Sequence, residues 1–197
     1  MKTVITHRLK KNILFTFLSL NVIILPTNSL SHELQENRAS IVLRNDRQIS
    51  IAFYLYISEV LNKVLMAKQD HFEHNAQLAS MNENDFLKQY EITKKIIEAA
   101  VVFKTISGKQ IDTNQWQWPG HKEVQKHIRE LTMQSVVGSS HHVHENPIEV
   151  RVQMQSNEPV VSLLLELPEA LKPITIVSSR PKQTRLDLYD KKILVNF

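Results

Sequence analysis

The chain has 197 residues, no cysteine, three glycines, and 24 Lys and Arg against 20 Asp and Glu. The missing cysteine excludes disulfides, thiolate metal sites and cysteine nucleophiles together, and Gly108, Gly120 and Gly138 fall in no phosphate-cradling pattern. The formal net charge of +4 invites a nucleic-acid or anionic-membrane reading, which the placement of the basic residues removes.

Lys2, Arg8, Lys10 and Lys11, with no acid among them, precede the apolar run Ile13 to Leu25, the basic and apolar regions of a cleavable secretory signal. Pro26 breaks the helix. Ser29 and Ser31 flank Leu30 and fit cleavage between Ser31 and His32, and Thr27 to Ser29 offer a second cut before Leu30. The run is shorter than the ~20 apolar residues of a bilayer span. Cleavage leaves 20 basic against 20 acidic residues, so neither a nucleic-acid partner nor a stable membrane span is expected of the mature chain. The sequence thus predicts a signal peptide over 1–31, a single α+β domain over 32–197, and a periplasmic or secreted address. A domain of this size buries roughly 70% of its unfolded surface without staples.

Along the mature chain, Ala39 to Arg44 reads as a strand. From Gln48 to Ile57, the residues Ile49, Ile51, Phe53, Leu55 and Ile57 alternate with Ser50, Ala52, Tyr54 and Tyr56, which predicts a second strand. Asn45 and Asp46 suit the tight turn of an N-terminal β-hairpin. Ser58 is placed to cap a short helix with Leu61, Val64 and Leu65 on one face, and the polar stretch Lys68 to Ser80 reads as a loop. A longer helix follows from about Asn84 to Val101, with Phe86, Tyr90, Ile97 and Val101 inward. Ser107 and Gly108 then join two short strands, and Pro119 opens a third helix running to about Val136.

The last third is β-rich. Ile148, Val150, Val152 and Met154 alternate with polar residues, as do Val161, Leu163, Leu165 and Leu167 after the turn at Ser156 to Pro159, and the two runs are expected to pair antiparallel. Further strands are predicted at Ile174 to Ser178, Thr184 to Leu188 and Ile193 to Phe197. A strand pair, about three central helices and C-terminal antiparallel strands in one sheet argue for α+β rather than alternating βαβ.

Histidine is the main reserve of reactive groups. If cleavage follows Ser31, His32 becomes the first residue, and its α-amino group and imidazole together chelate one copper ion. His141, His142 and His144, with Glu145, set three imidazoles and a carboxylate within five residues, donors that suit Cu(II) or Zn(II). The competing reading is a solvated loop before the strand at Ile148. His71 and His74 approach each other only on a helix, whereas His121 and His127 are six apart on the third helix and do not share a face. Trp116 and Trp118 point the same way in an extended segment, either lining a groove or closing the core. No nucleophile elbow and no H-E-x-x-H occurs.

His32 to Arg44, taken with Asn114 to Pro119 and the helix after it, resembles a group of uncharacterised exported proteins of Gram-negative bacteria with a His-Glu-Leu mature start and a Trp-x-Trp-Pro element. The resemblance implies a periplasmic address and no assigned activity. The expected function is that of a non-catalytic binding or accessory protein acting on an envelope protein or small ligand. Its rivals are a copper or zinc carrier using His32, His141, His142 and His144, and an envelope hydrolase.

Overall fold

The computed structural model describes residues 36–65, 70–137 and 145–181. The expected leader and its cut sites, His32, and the expected strands beyond Pro181 lie outside the described residues.

Strands β1 (Asn37–Arg44) and β2 (Gln48–Leu55) form the expected hairpin. Asn45 and Asp46 both take positive φ, at 48° and 58°, the left-handed region these two residue types enter most readily. β2 is the centre of the sheet. Its inward residues Ile49, Ile51 and Phe53 face Met154, Val152 and Val150 of the antiparallel strand β5 (Ile148–Gln155). A one-residue slip would send this whole row to the solvent side, so the alternation fixes the register.

Helix α1 (Ile57–Val64) follows β2, and after it come α2 (His71–Ser80) and α3 (Glu83–Ala100). α3 begins where the side chain of Asn82 accepts from the Asp85 amide at 2.9 Å, an N-cap with acids in the first turn. α4 (His121–Val137) is the long helix opened by the Trp116 to Gly120 segment. Four helices are therefore described where periodicity marks three, and α2 is the addition. Its sequence is too polar to announce a helix, but His74, Asn75 and Leu78 form a buried face. Its C-terminal carbonyls are held from α4: Gln125 Nε2 donates to Met81 O at 2.8 Å and Arg129 Nε donates to Ala79 O at 2.8 Å. Orphan carbonyls satisfied by a packed neighbour explain a helix that local propensity does not.

The main sheet runs β4-β5-β2-β1-β7, where β4 is Thr113–Gln117 and β7 is Ile174–Ser179, and a second sheet pairs β3 (Val102–Thr105) with β6 (Leu163–Glu166). The fold is α+β, as expected, with a different ending. β6 does not pair with β5, because Ser156 N donates to Arg47 O at 2.9 Å and Val160 N to Asp46 O at 2.7 Å. These bonds lay the connection across the β1–β2 turn, so the chain leaves the sheet edge and β6 joins β3 instead. After a 3₁₀ turn at Glu169–Leu171, β7 enters beside β1 in the parallel sense.

The interior has two clusters. One packs Phe53, Ile51, Val150, Val152, Ile97 and Phe103 between the sheet and the elements that cover it. The other gathers Ile57, Leu61, Leu78, Phe86, Tyr90 and Ile128 among the helices.

Candidate functional site

Among the described residues, a serine, a carboxylate and an imidazole come together at the start of α1. The residue at the α1 N-cap position, Tyr56, makes no side-chain cap bond. The cap is supplied from a distance: Glu145 Oε1 accepts from the Ser58 amide at 3.1 Å, and Glu145 Oε2 accepts from the Ser58 hydroxyl in a short hydrogen bond. A carboxylate at a helix start satisfies orphan amides and complements the helix dipole. Ser58 is therefore capped by Glu145 rather than capping the helix itself. His127 of α4 completes the group. Its Nε2 lies 3.5 Å from Glu145 Oε1, within ion-pair reach, yet it has no hydrogen-bond partner among the described residues.

The order of contacts decides what this group does. A hydrolytic triad needs imidazole bonded to the hydroxyl and carboxylate behind the imidazole. Here Glu145 stands between the other two, and the Ser58 hydroxyl, wholly buried, gives its proton bond to the carboxylate. The arrangement anchors chain segments; it does not activate a nucleophile.

Glu145, the residue that follows His144 in sequence, is itself held against Ser58 of α1 and beside His127 of α4. His32, His141, His142 and His144 themselves lie outside the described residues. Among the described residues no three His, Asp or Glu side chains converge on one point. The remaining histidines divide as their spacing predicts. His121 Nε2 sits 3.4 Å from Glu83 Oε1, well away in sequence from the His127 contact. Glu83 also holds Lys122 at 3.0 Å, and the hydrogen bonds from Lys122 and then His121 lower its pKa. His71 and His74 share α2. Burial, followed by the charge of His71, lowers the pKa of His74, whose Nε2 is buried without a partner among the described residues.

The tryptophans close the core. Trp116 stacks on Phe53 with centroids 6.1 Å apart and on Trp118 at 5.9 Å, and Trp118 meets the Tyr90 ring edge-on at 6.2 Å. Trp118 Nε1 donates to Glu98 Oε1 at 2.7 Å, and Tyr90 Oη donates to Pro119 O at 2.9 Å. The polar tips of Trp118 and Tyr90 are paired while their rings are packed. Burial raises the Tyr90 pKa far above its ordinary value, so the phenol stays protonated.

On the solvent side of the main sheet the same alternation that fills the core leaves polar residues. Gln48 lies opposite Gln155, Ser50 opposite Gln153, and Gln115 opposite Gln153 from the other side. With Arg44 they line a shallow depression of about 360 Å³. Sequence reading sets Ser50 and Gln153 opposite the apolar rows but marks no depression, because strand order β4-β5-β2 is what brings these positions side by side. No protein-family model, curated protein or solved structure matches the chain.

Proposed function

We propose that this is an exported, non-catalytic binding or accessory protein of the bacterial envelope, and that the polar face of its main sheet holds the ligand or partner. The observation that carries this reading is the chemistry of the depression: Gln48, Ser50, Gln115, Gln153 and Gln155 offer amide and hydroxyl donors and acceptors, with Arg44 as the one charge. Such a surface grips a polar, near-neutral ligand or an extended peptide and has no acid and base poised to transfer a proton. The leader and the balanced charge of residues 32–197 support the address. Immobilised mature protein is expected to capture an envelope component, with a Gln115→Ala/Gln153→Ala variant losing it. Turnover of an envelope substrate that disappears with Ser58→Ala would overturn the reading. Mass spectrometry of the processed N-terminus tests the export step, with His32 as the expected first residue.

A second reading, a copper or zinc carrier, is favoured by one specific contact. The histidine run is followed by a carboxylate held beside His127, whose Nε2 has no hydrogen-bond partner among the described residues. In this reading His32, His141, His142 and His144 supply the ligands. Calorimetric titration of processed protein with Cu(II) and with Zn(II) is expected to show affinity that weakens in His32→Ala and in a triple His141→Ala/His142→Ala/His144→Ala variant. Equal affinity in all three proteins would sink it.

A further inference from the structure

The register of the main sheet sorts its outward side chains into rows. Arg44, Gln48 and Gln155 form one, at the depression. Val42, Ser50, Gln153 and Gln115 form the next. Ser40, Ala52, Arg151 and Gln117 follow, and Arg38, Tyr54 and Glu149 make the last. In the two middle rows β1 and β2 contribute only the short side chains Ser40, Val42, Ser50 and Ala52, all half-buried, while β5 raises the exposed Arg151 and Gln153 beside them. Paired strands lie about 4.8 Å apart, so this low ground is a trough about 10 Å wide, enough for one extended chain. Arg44 with Gln48 stands at one end of it and Arg38 with Tyr54 at the other.

Charge gives the occupant its sign. Arg38 and Arg44 are both exposed, and the carboxylates nearest them in the sheet and its turn are engaged elsewhere. Glu149 accepts from Arg151 Nε at 2.8 Å and from Arg151 Nη2 at 3.2 Å. Asp46, two residues after Arg44, is ion-paired with Arg180, and Glu36 accepts from the Thr175 hydroxyl at 3.1 Å. Each guanidinium therefore presents an unused fork, which matches a carboxylate or a phosphate. The glutamines decide between the two. A side-chain amide carries both donors and an acceptor, which suits the N–H and C=O groups of a peptide backbone, whereas a phosphate polymer offers acceptors alone.

Arg38 and Arg44 are six positions apart on one face of β1, a span of about 20 Å at the rise of a strand. An extended peptide laid along the trough has the same rise and the same period of two. Its side chains six residues apart point the same way and reach both guanidinium groups, while five apart one of them turns to solvent. We infer, on the reading that this face holds the partner, that the trough takes an extended acidic peptide segment. Arg38 and Arg44 hold two carboxylates six residues apart, and the glutamines hold the backbone between them.

Fluorescence anisotropy on the full chain tests this with labelled, end-capped peptides of Ser, Thr and Gln that differ only in where two glutamates stand. Glutamates six residues apart are expected to bind about fivefold tighter than glutamates five apart, and tighter again than a peptide with glutamine at both places. Arg38→Gln and Arg44→Gln are each expected to erase the preference for the longer spacing, and both changes are at exposed positions that leave the core untouched. Equal affinity for the two spacings, including none for either, would overturn the inference, as would inorganic polyphosphate binding more tightly than the peptide. Capture of an envelope component tells the failure of this inference from that of the reading beneath it. If capture is lost in Gln115→Ala/Gln153→Ala and unchanged in Arg38→Gln/Arg44→Gln, the face binds its partner but not through carboxylates. If Gln115→Ala/Gln153→Ala leaves capture unchanged, the face is not the site and both fall.

Discussion

The cluster against the sheet and the cluster among the helices bury the same kinds of apolar side chain, yet they treat polar groups differently. On the sheet side, the buried Asn37 donates to Leu171 O at 3.1 Å and accepts from the Tyr56 amide at 2.9 Å, and the Ser156 hydroxyl accepts from the Glu158 amide at 3.2 Å. On the helices, His74 Nε2, Asn75 Oδ1, Thr93 Oγ1 and His127 Nε2 are buried with no hydrogen-bond partner among the described residues. Unmade hydrogen bonds in a low-dielectric interior each cost roughly 1–3 kcal/mol. The sheet side therefore defines the fold, and the helical side retains polar groups that a purely structural core would have replaced.

The strongest way to test that division is to remove the centre of the sheet cluster. Phe53 is 1% exposed, stacks on Trp116, and faces Val150 across the β2–β5 pair. Phe53→Ala is expected to cost about 3–5 kcal/mol in chemical denaturation, through lost burial and the cavity left behind. A loss under about 1 kcal/mol would mean that the sheet side is not the principal support.

The next effect belongs to the junction of the helical side. Glu145→Ala strips the acceptors from the Ser58 amide and hydroxyl, in a part-buried site, and is expected to cost about 1–3 kcal/mol. Adding Ser58→Ala to that variant should then cost little more than its own small packing change, since the partner is already gone. Additive losses in the double-mutant cycle would show that the capping contact is not what couples the two positions.

How much of this could be read in the sequence follows the same divide. Strand β2, its hairpin with β1 and the helices α3 and α4 were legible because each carries its own period and its own turn or cap residues. α2 was not, since it is held by Gln125 and Arg129 of another helix rather than by its own composition. Neither was the departure of β6, which depends on two backbone bonds to the β1–β2 turn. The Ser58, Glu145 and His127 group has a faint trace in the sequence: Ser58 lacks an acid three residues on, Leu61 standing there, so its helix start needed an acceptor from elsewhere. Nothing local says that the acceptor is Glu145.

A smaller effect, opposite in sign, is expected from the helical side. His74→Leu removes an unpaired buried imidazole and is expected to raise stability by about 1 kcal/mol, provided the site accepts the side chain. The pH dependence gives the sharper reading. Burial, then His71, lowers the folded pKa of His74 below its ordinary 6.5. The unfolded chain therefore binds the proton first, so native stability is full above about pH 6.5 and falls as pH drops through that value towards the folded pKa. Denaturation series at pH 7.5 and pH 5.5 should show the wild type losing more stability than His74→Leu. Parallel losses would mean that His74 is not a source of acid sensitivity.

The smallest effect returns to the sheet side, at its solvent boundary. Lys104 Nζ donates to Glu166 Oε1 at 2.6 Å across the β3–β6 pair, with the two side chains 30% and 51% exposed. Water and salt reach both groups, and holding them in one geometry costs side-chain freedom, so Glu166→Ala is expected to lose only about 0.2–1 kcal/mol. That loss should shrink further in 1 M salt, where the screening length falls to about 3 Å. β3 and β6 also share the pairs Phe103 with Leu165 and Thr105 with Leu163, and Phe103 is wholly buried. If apolar contact holds the second sheet, Phe103→Ala must exceed Glu166→Ala several-fold in the same denaturation assay. A Glu166→Ala loss equal to that of Phe103→Ala, and undiminished by salt, would show that charge rather than burial joins β6 to the fold, and the contrast between the two sides would lose its basis.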